Sequence, residues 1–198
     1  MDQVVAQAMQ KWPNVPHCHG WLGLDARGAW RMRDEQTQRQ NLPGDKIMHT
    51  ALVGFINRNY GADEQGCWYF QNGPQRVYVD LELTPYIAHT DPVQGFVLQT
   101  GEPMTTIESV MLTEQGRLLL IAPNQVAAID DRDLAQCLAD LRIDGKIASD
   151  EALLEWMANP SKSQTLTWQK AEATLTVEHI ATEHIATRFG FTQKPRQK

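Results

Sequence analysis

His17-Cys18-His19 puts two imidazoles and a thiol at consecutive positions, the ligand types that zinc and copper take. A metal needs a third and a fourth ligand, and no C-x-x-C or H-x-x-x-H accompanies the triplet. Cys67, His49 or His89 would have to be brought in by the fold. Otherwise the triplet is a surface His pair ahead of a strand. A second candidate is DLRIDGKIASDE, from Asp140 to Glu151. Asp140, Asp144, Gly145 and Glu151 stand where an EF-hand calcium loop has its first ligand, a middle ligand, its sharp bend and its bidentate Glu. Arg142 places a cation where a ligand belongs, and Ala148 offers no oxygen. The stretch reads first as a plain connection between two helices, with calcium binding as the alternative. The same helices are too acidic to be a DNA-binding unit.

The remaining constellations are weaker. In the tandem EHIAT of 178–182 and 183–187, a spacing of five sets His179 and His184 roughly 140° apart on a helix, so they do not converge on one metal. Cys137 lies on an apolar helix face and Cys67 begins a strand, and both read as core. Asp80 and Glu82 share one face of a strand near Arg76, a pattern that predicts a solvated sheet face. There is no nucleophile elbow, P-loop or dinucleotide fingerprint. These residues therefore assign no catalytic group, imply no cofactor and leave the ligand-binding residues unidentified.

The elements that position them follow from hydrophobic periodicity. Gly66 to Leu83 is the organising hairpin. Asn72-Gly73-Pro74 is its turn, and Val77, Val79, Leu81 and Leu83 alternate with polar residues. Trp21 to Arg33 is a hairpin turning at 25–28, residues 34–43 read as a loop, and Asp45 is placed to cap a helix running to Tyr60. Strands at 86–90 and 96–100 precede a hairpin over 107–121. A helix then follows Asp130 or Asp131, and Ser149 caps another. A last strand pair spans 164–177, a short helix spans 178–189, and the tail from Gln193 is expected to fray. Of the six Trp, those at 21, 30, 68 and 168 read as core.

The expected fold class is α+β, with two similar antiparallel-sheet-plus-helix units of ββαββ type, over 1–104 and 105–198. The units form a weak internal repeat: hairpin 21–33, helix 46–60 and strands 67–83 against hairpin 107–121, helices 130–158 and strands 164–177.

Composition bounds the function. The chain has 198 residues, 42% hydrophobic and 21% charged, ordinary globular values. A net charge of −6 argues against nucleic acid, and the lack of an apolar run near 18 residues argues against a membrane span. Three scattered cysteines and an N-terminus without a signal core point to the cytoplasm.

WLGLDARGAW, GFINRNY and FQNGPQRVYVDLE resemble an uncharacterised family of proteobacterial cytosolic proteins, a domain of unknown function, over residues 12–85. The element order over 20–140 is similar to a second such family, built of tandem α+β repeats with a suggested signalling or ligand-sensing role. The resemblance implies a bacterial cytoplasmic α+β protein and carries over no functional residue. The leading expectation is a non-enzymatic sensory or regulatory module that binds a small molecule or a protein, with homodimerisation left open. The alternatives are a metal-dependent enzyme using His17 and His19, and a calcium-responsive module at Asp140, Asp144 and Glu151.

Overall fold

The computed structural model describes residues 1–160, 164–170 and 173–197. The chain is α+β and divides into two compact units. Unit 1 holds residues up to Pro85, the short stretch Gln99–Gly101, and the chain from Ala186 onward; unit 2 holds Tyr86–Leu98 and Glu102–Ile185.

Unit 1 runs α1 (Gln3–Lys11), β1 (Cys18–Leu24), β2 (Trp30–Met32), α2 (Glu35–Arg39), β3 (Asp45–Lys46), α3 (Thr50–Arg58), β4 (Tyr60–Ala62), β5 (Trp68–Asn72) and β6 (Gln75–Leu81). Its sheet order is β3-β2-β1-β6-β5-β4, with β1 and β6 parallel at the centre. The two predicted hairpins form as expected. Asp25 Oδ1 accepts from the amides of Arg27 and Ala29 at the first turn, and Gly73 adopts a positive φ at the second. Leu22, Leu24, Trp30, Phe70, Val79 and Leu81 are buried on one side of this sheet.

Three local expectations are corrected in this unit. Residues 34–43 contain α2, because Asp34 Oδ1 accepts from the Thr37 amide and starts a helix. Asp45 begins the short edge strand β3 instead of capping a helix; α3 starts at Thr50, where His49 Nδ1 accepts from the Leu52 amide. The tail does not fray at Gln193. Its carbonyl accepts from the Leu81 amide at 2.7 Å, beside β6 and beyond the end of its pairing with β5.

Unit 2 runs β7 (Tyr86–Asp91), β8 (Gly95–Leu98), β9 (Ser109–Thr113), β10 (Leu118–Ala122), β11 (Gln125–Ile129), α4 (Asp131–Leu138), β12 (Leu141–Ile143), β13 (Lys146–Ile147), α5 (Asp150–Ala158), β14 (Leu166–Lys170) and β15 (Ala173–Ile180). A 3₁₀ turn (Thr182–His184) follows, and α6 (Ile185–Phe189) leads into the C-terminal segment of unit 1. The sheet order is β13-β12-β14-β15-β9-β10-β11-β7-β8. Its core includes Phe96, Leu112, Leu118, Leu120, Cys137, Trp156 and Trp168. The predicted strand pair over 164–177 is present; its connection at 171–172 lies outside the described residues.

Each sheet contains parallel pairs between strands distant in sequence, β1 with β6 in the first and β9 with β15 and β7 with β11 in the second. The boundary expected after residue 104 does not match this pairing. β7 pairs with β11, so 86–98 joins the second sheet, while the C-terminal segment lines β6 of the first.

Candidate functional site

Gly23 on β1 stands opposite Asp80 on β6 in the parallel pair. Alternation turns Asp80 away from Val79 and Leu81, toward the polar face of the sheet. That face is covered rather than solvated. Asp80 is 7% exposed. The Arg33 guanidinium, equally buried, bonds Asp80 Oδ2, and Arg196 from the C-terminal segment approaches side-on, with Nη1 2.8 Å from Oδ1 and Nη2 3.1 Å from Oδ2. A buried charge is tolerated only when paired and hydrogen-bonded, and here one carboxylate serves two cations. A Cβ at position 23 would lie 3.4 Å from the Asp80 carbonyl and 3.7 Å from Arg33 Cδ, ordinary van der Waals contact, so the backbones pack closely here without requiring glycine.

Two cavities open around this pair. The first, about 270 Å³, is lined by Gly23, Asp25, Arg31, Glu82 and Lys194 together with Arg33, Asn41 and Asp80. The second, about 300 Å³, shares those last three residues and adds His19, Gln38, Arg39 and Arg196. They are two chambers of one cleft. Arg31 Nε and Nη2 each lie 2.7 Å from Asp25 Oδ2, which fixes that guanidinium at the rim. Glu82 Oε2 accepts from the Ala26 amide, and Lys194 Nζ reaches Asn41 Oδ1 at 3.4 Å. Arg33 is held further by the Leu42 carbonyl and Gln38 by the Arg33 carbonyl. Five cationic side chains thus face three carboxylates across the cleft, in a chain whose net charge is −6.

The sequence candidates fall elsewhere or apart. His17 and His19 meet on the ring of Tyr78: His19 stacks at 4.6 Å and His17 meets it edge-on at 5.8 Å. Burial, with the charges of His17 and Arg196, holds the His19 pKa below its ordinary 6.5, against an opposing pull from Asp80. Cys18 starts β1 as a free thiol. Cys67 pairs with Thr192 through its backbone, His49 caps α3 and His89 lies on Asp130, and none of them gathers with the triplet. Among the described residues no three His, Cys, Asp or Glu side chains gather as a metal-holding group.

Asp140 to Glu151 is not a loop between two helices. Leu141–Ile143 and Lys146–Ile147 are paired strands, and Asp144 and Gly145 both take positive φ in their turn. Asp144 Oδ1 accepts from the Thr165 amide, Asp140 faces Lys170 Nζ at 3.5 Å, and Glu151 sits in the first turn of α5. The three carboxylates are dispersed on separate elements with separate partners. His179 and His184 are also separated: β15 continues through Ile180 because it pairs with β9, so the predicted helix at 178 begins only at the turn beyond.

A model of a family of unknown function, DUF2944, with the description "Protein of unknown function (DUF2946)", matches residues 1–196. The chain belongs to this family. A DUF1285 family protein from Silicibacter pomeroyi DSS-3, whose crystal structure is known, is similar with a TM-score of 0.51 and 13% identity. The likeness covers 90% of this chain and 96% of that one, and it is a likeness of fold. No curated protein matches the sequence.

In this DUF2944 family member, sequence reasoning missed the cleft because its charges come from distant stretches. Arg33, Asp80 and Arg196 are 47 and 116 positions apart. The one available signal was Asp80 itself, a carboxylate flanked by Val79 and Leu81 in the central hairpin. Also missed was the pair of Asp130, fully buried at the start of α4, and His89, whose Nδ1 lies 3.0 Å from Asp130 Oδ2. Burial opposes the Asp130 charge, but the Arg132 side chain and amide, with His89, outweigh it and lower the pKa to about 2.

Proposed function

We propose that this chain is a cytoplasmic binding module with a sensory or regulatory role, and that the cleft of unit 1 takes a small anionic molecule. The observation that carries the reading is the excess of cations around a cleft whose floor is already organised. Arg33 and Arg31 are fixed by Asp80 and Asp25, so their remaining N–H donors are held in place before any ligand arrives. Lys194 is exposed at one mouth and Arg39, paired with Glu35 at 3.1 Å, at the other, where an incoming anion meets them first. Both chambers are near the lower end of ligand-pocket volumes, which selects a compact molecule.

Calorimetric titration of the full chain with phosphate, citrate and succinate at low ionic strength tests the reading. At least one should bind, with affinity falling as salt is added. Lys194→Gln and Arg39→Gln remove exposed charges and leave the fold intact, and each should weaken binding about tenfold, roughly 1.4 kcal/mol. Binding unchanged in both variants, or no binding of any of the three anions, would overturn it.

A further inference from the structure

A second cavity in unit 1, about 470 Å³, lies on the β4–β5–β6 part of the sheet and is lined by Asp63, Glu64, Gln65, Tyr69, Arg76 and Tyr78. It shares no lining residue with the cationic cleft. Its groups divide into those already engaged and those available to a ligand. Asp63 is engaged: Oδ1 accepts from the amides of Gln65 and Cys67, and Oδ2 accepts from the Tyr78 hydroxyl at 3.0 Å. Tyr78 is 8% exposed, so this bond fixes the hairpin turn and the buried phenol together.

Arg76 is held differently. Its guanidinium lies over the Tyr69 ring, 4.5 Å from the centroid, and hydrogen-bonds the Tyr78 side chain, while Tyr69 and Tyr78 face each other across the strand pair. A guanidinium has five N–H donors, so the bond to Tyr78 leaves donors that a planar oxyanion can take. Glu64 is exposed at the rim, and among the described residues its side chain makes no ion pair or hydrogen bond. Gly61, registered against Tyr69, has no atom within 4 Å of where a Cβ would be, which leaves open space beside the ring.

The remaining donors of Arg76 and the carboxylate of Glu64 therefore face the same space. A simple carboxylate would satisfy Arg76 and be repelled by Glu64; a simple amine would do the reverse. We propose that this cavity binds a small zwitterion of the α-amino-acid class, its carboxylate on the Arg76 guanidinium and its ammonium group on Glu64. The side chain then lies over Tyr69 in the space left by Gly61.

The test is calorimetric titration of the full chain with a panel of standard L-α-amino acids, alongside acetate and ethylamine. At least one amino acid should bind, and acetate and ethylamine should each bind at least tenfold more weakly than it. Glu64→Gln is a surface change that keeps the fold, and it should cost at least tenfold in affinity. Arg76→Gln, with its melting temperature checked against the parent, should abolish binding. Lys194→Gln, in the other cleft, should leave it unaltered. No binding by any amino acid, acetate binding as tightly as the zwitterion with that acetate binding lost in Arg76→Gln, or full affinity retained in Glu64→Gln would overturn the proposal. None of these outcomes bears on anion binding at Asp80.

Discussion

Asp80 accepts from two guanidiniums while the residue is buried, so removing it is not equivalent to removing either donor. Asp80→Ala leaves the buried Arg33 charge uncompensated, and the expected loss is about 3–5 kcal/mol, read as a large drop in denaturation midpoint. Arg196 is 54% exposed and its loss still leaves Asp80 paired, so Arg196→Ala should cost about 1 kcal/mol or less. Equal losses in the two variants would refute this account of the pair. His19, in the second chamber, has a lowered pKa and is neutral at pH 7. A bound anion favours its protonated form, so anion affinity should rise as pH falls below 6.5, and this rise should vanish in His19→Gln. Calorimetry from pH 7.5 to 5 measures both. At this scale little was legible beforehand. Alternation placed Asp80 on the polar face correctly, but polar face does not mean solvated face. The cover comes from Arg33 and Arg196, and no periodicity in β6 announces either. Trp21, read as core, is 42% exposed, because a strand residue's burial depends on what lies over its face.

Where a turn or cap is specified by local chemistry, the element was readable. Gly73-Pro74, the Asp25–Gly28 turn and the Ser149 cap are set within a few residues and appear where expected. Asp144-Gly145 shows the opposite error from equally local information. Asp-Gly between Ile143 and Lys146 is a strong hairpin signal, but its likeness to a calcium loop drew attention to the carboxylates and away from the turn. β15 running past residue 178 could not be read locally, since its extent is set by pairing with β9 across a long sequence separation. Asp130 supplies a test at this scale. It caps α4 and bonds Arg132, with a pKa near 2 against an ordinary 3.8. A carboxylate whose folded pKa is depressed adds stability above about pH 4 and loses it as pH falls through about 2. Asp130→Asn should therefore melt lower than the parent at pH 7, and the gap should narrow steadily between pH 4 and pH 2. A gap independent of pH over that range would mean that the charge of Asp130 contributes nothing.

For the whole molecule, the class α+β and the presence of two sheet-bearing units follow from the alternation of strand and helix signals, and both are present. The limits of each unit do not follow, because a sheet recruits strands by pairing rather than by sequence order. Ala88, Phe96 and Leu98 precede the expected boundary at 104, yet all three lie in the core cluster of unit 2. β7 also supplies the parallel partner of β11. A fragment comprising 105–198 would expose that edge and lose the three apolar side chains, at roughly 1.5–3 kcal/mol for each large one. Domains of this size have only about 5–15 kcal/mol of stability to lose. The fragment 105–198 should therefore be insoluble or show no cooperative melt, whereas 86–185 restores β7 and β8 and should unfold cooperatively. A cooperative melt of 105–198 at the same temperature as 86–185 would show that pairing with β11 does not define the unit.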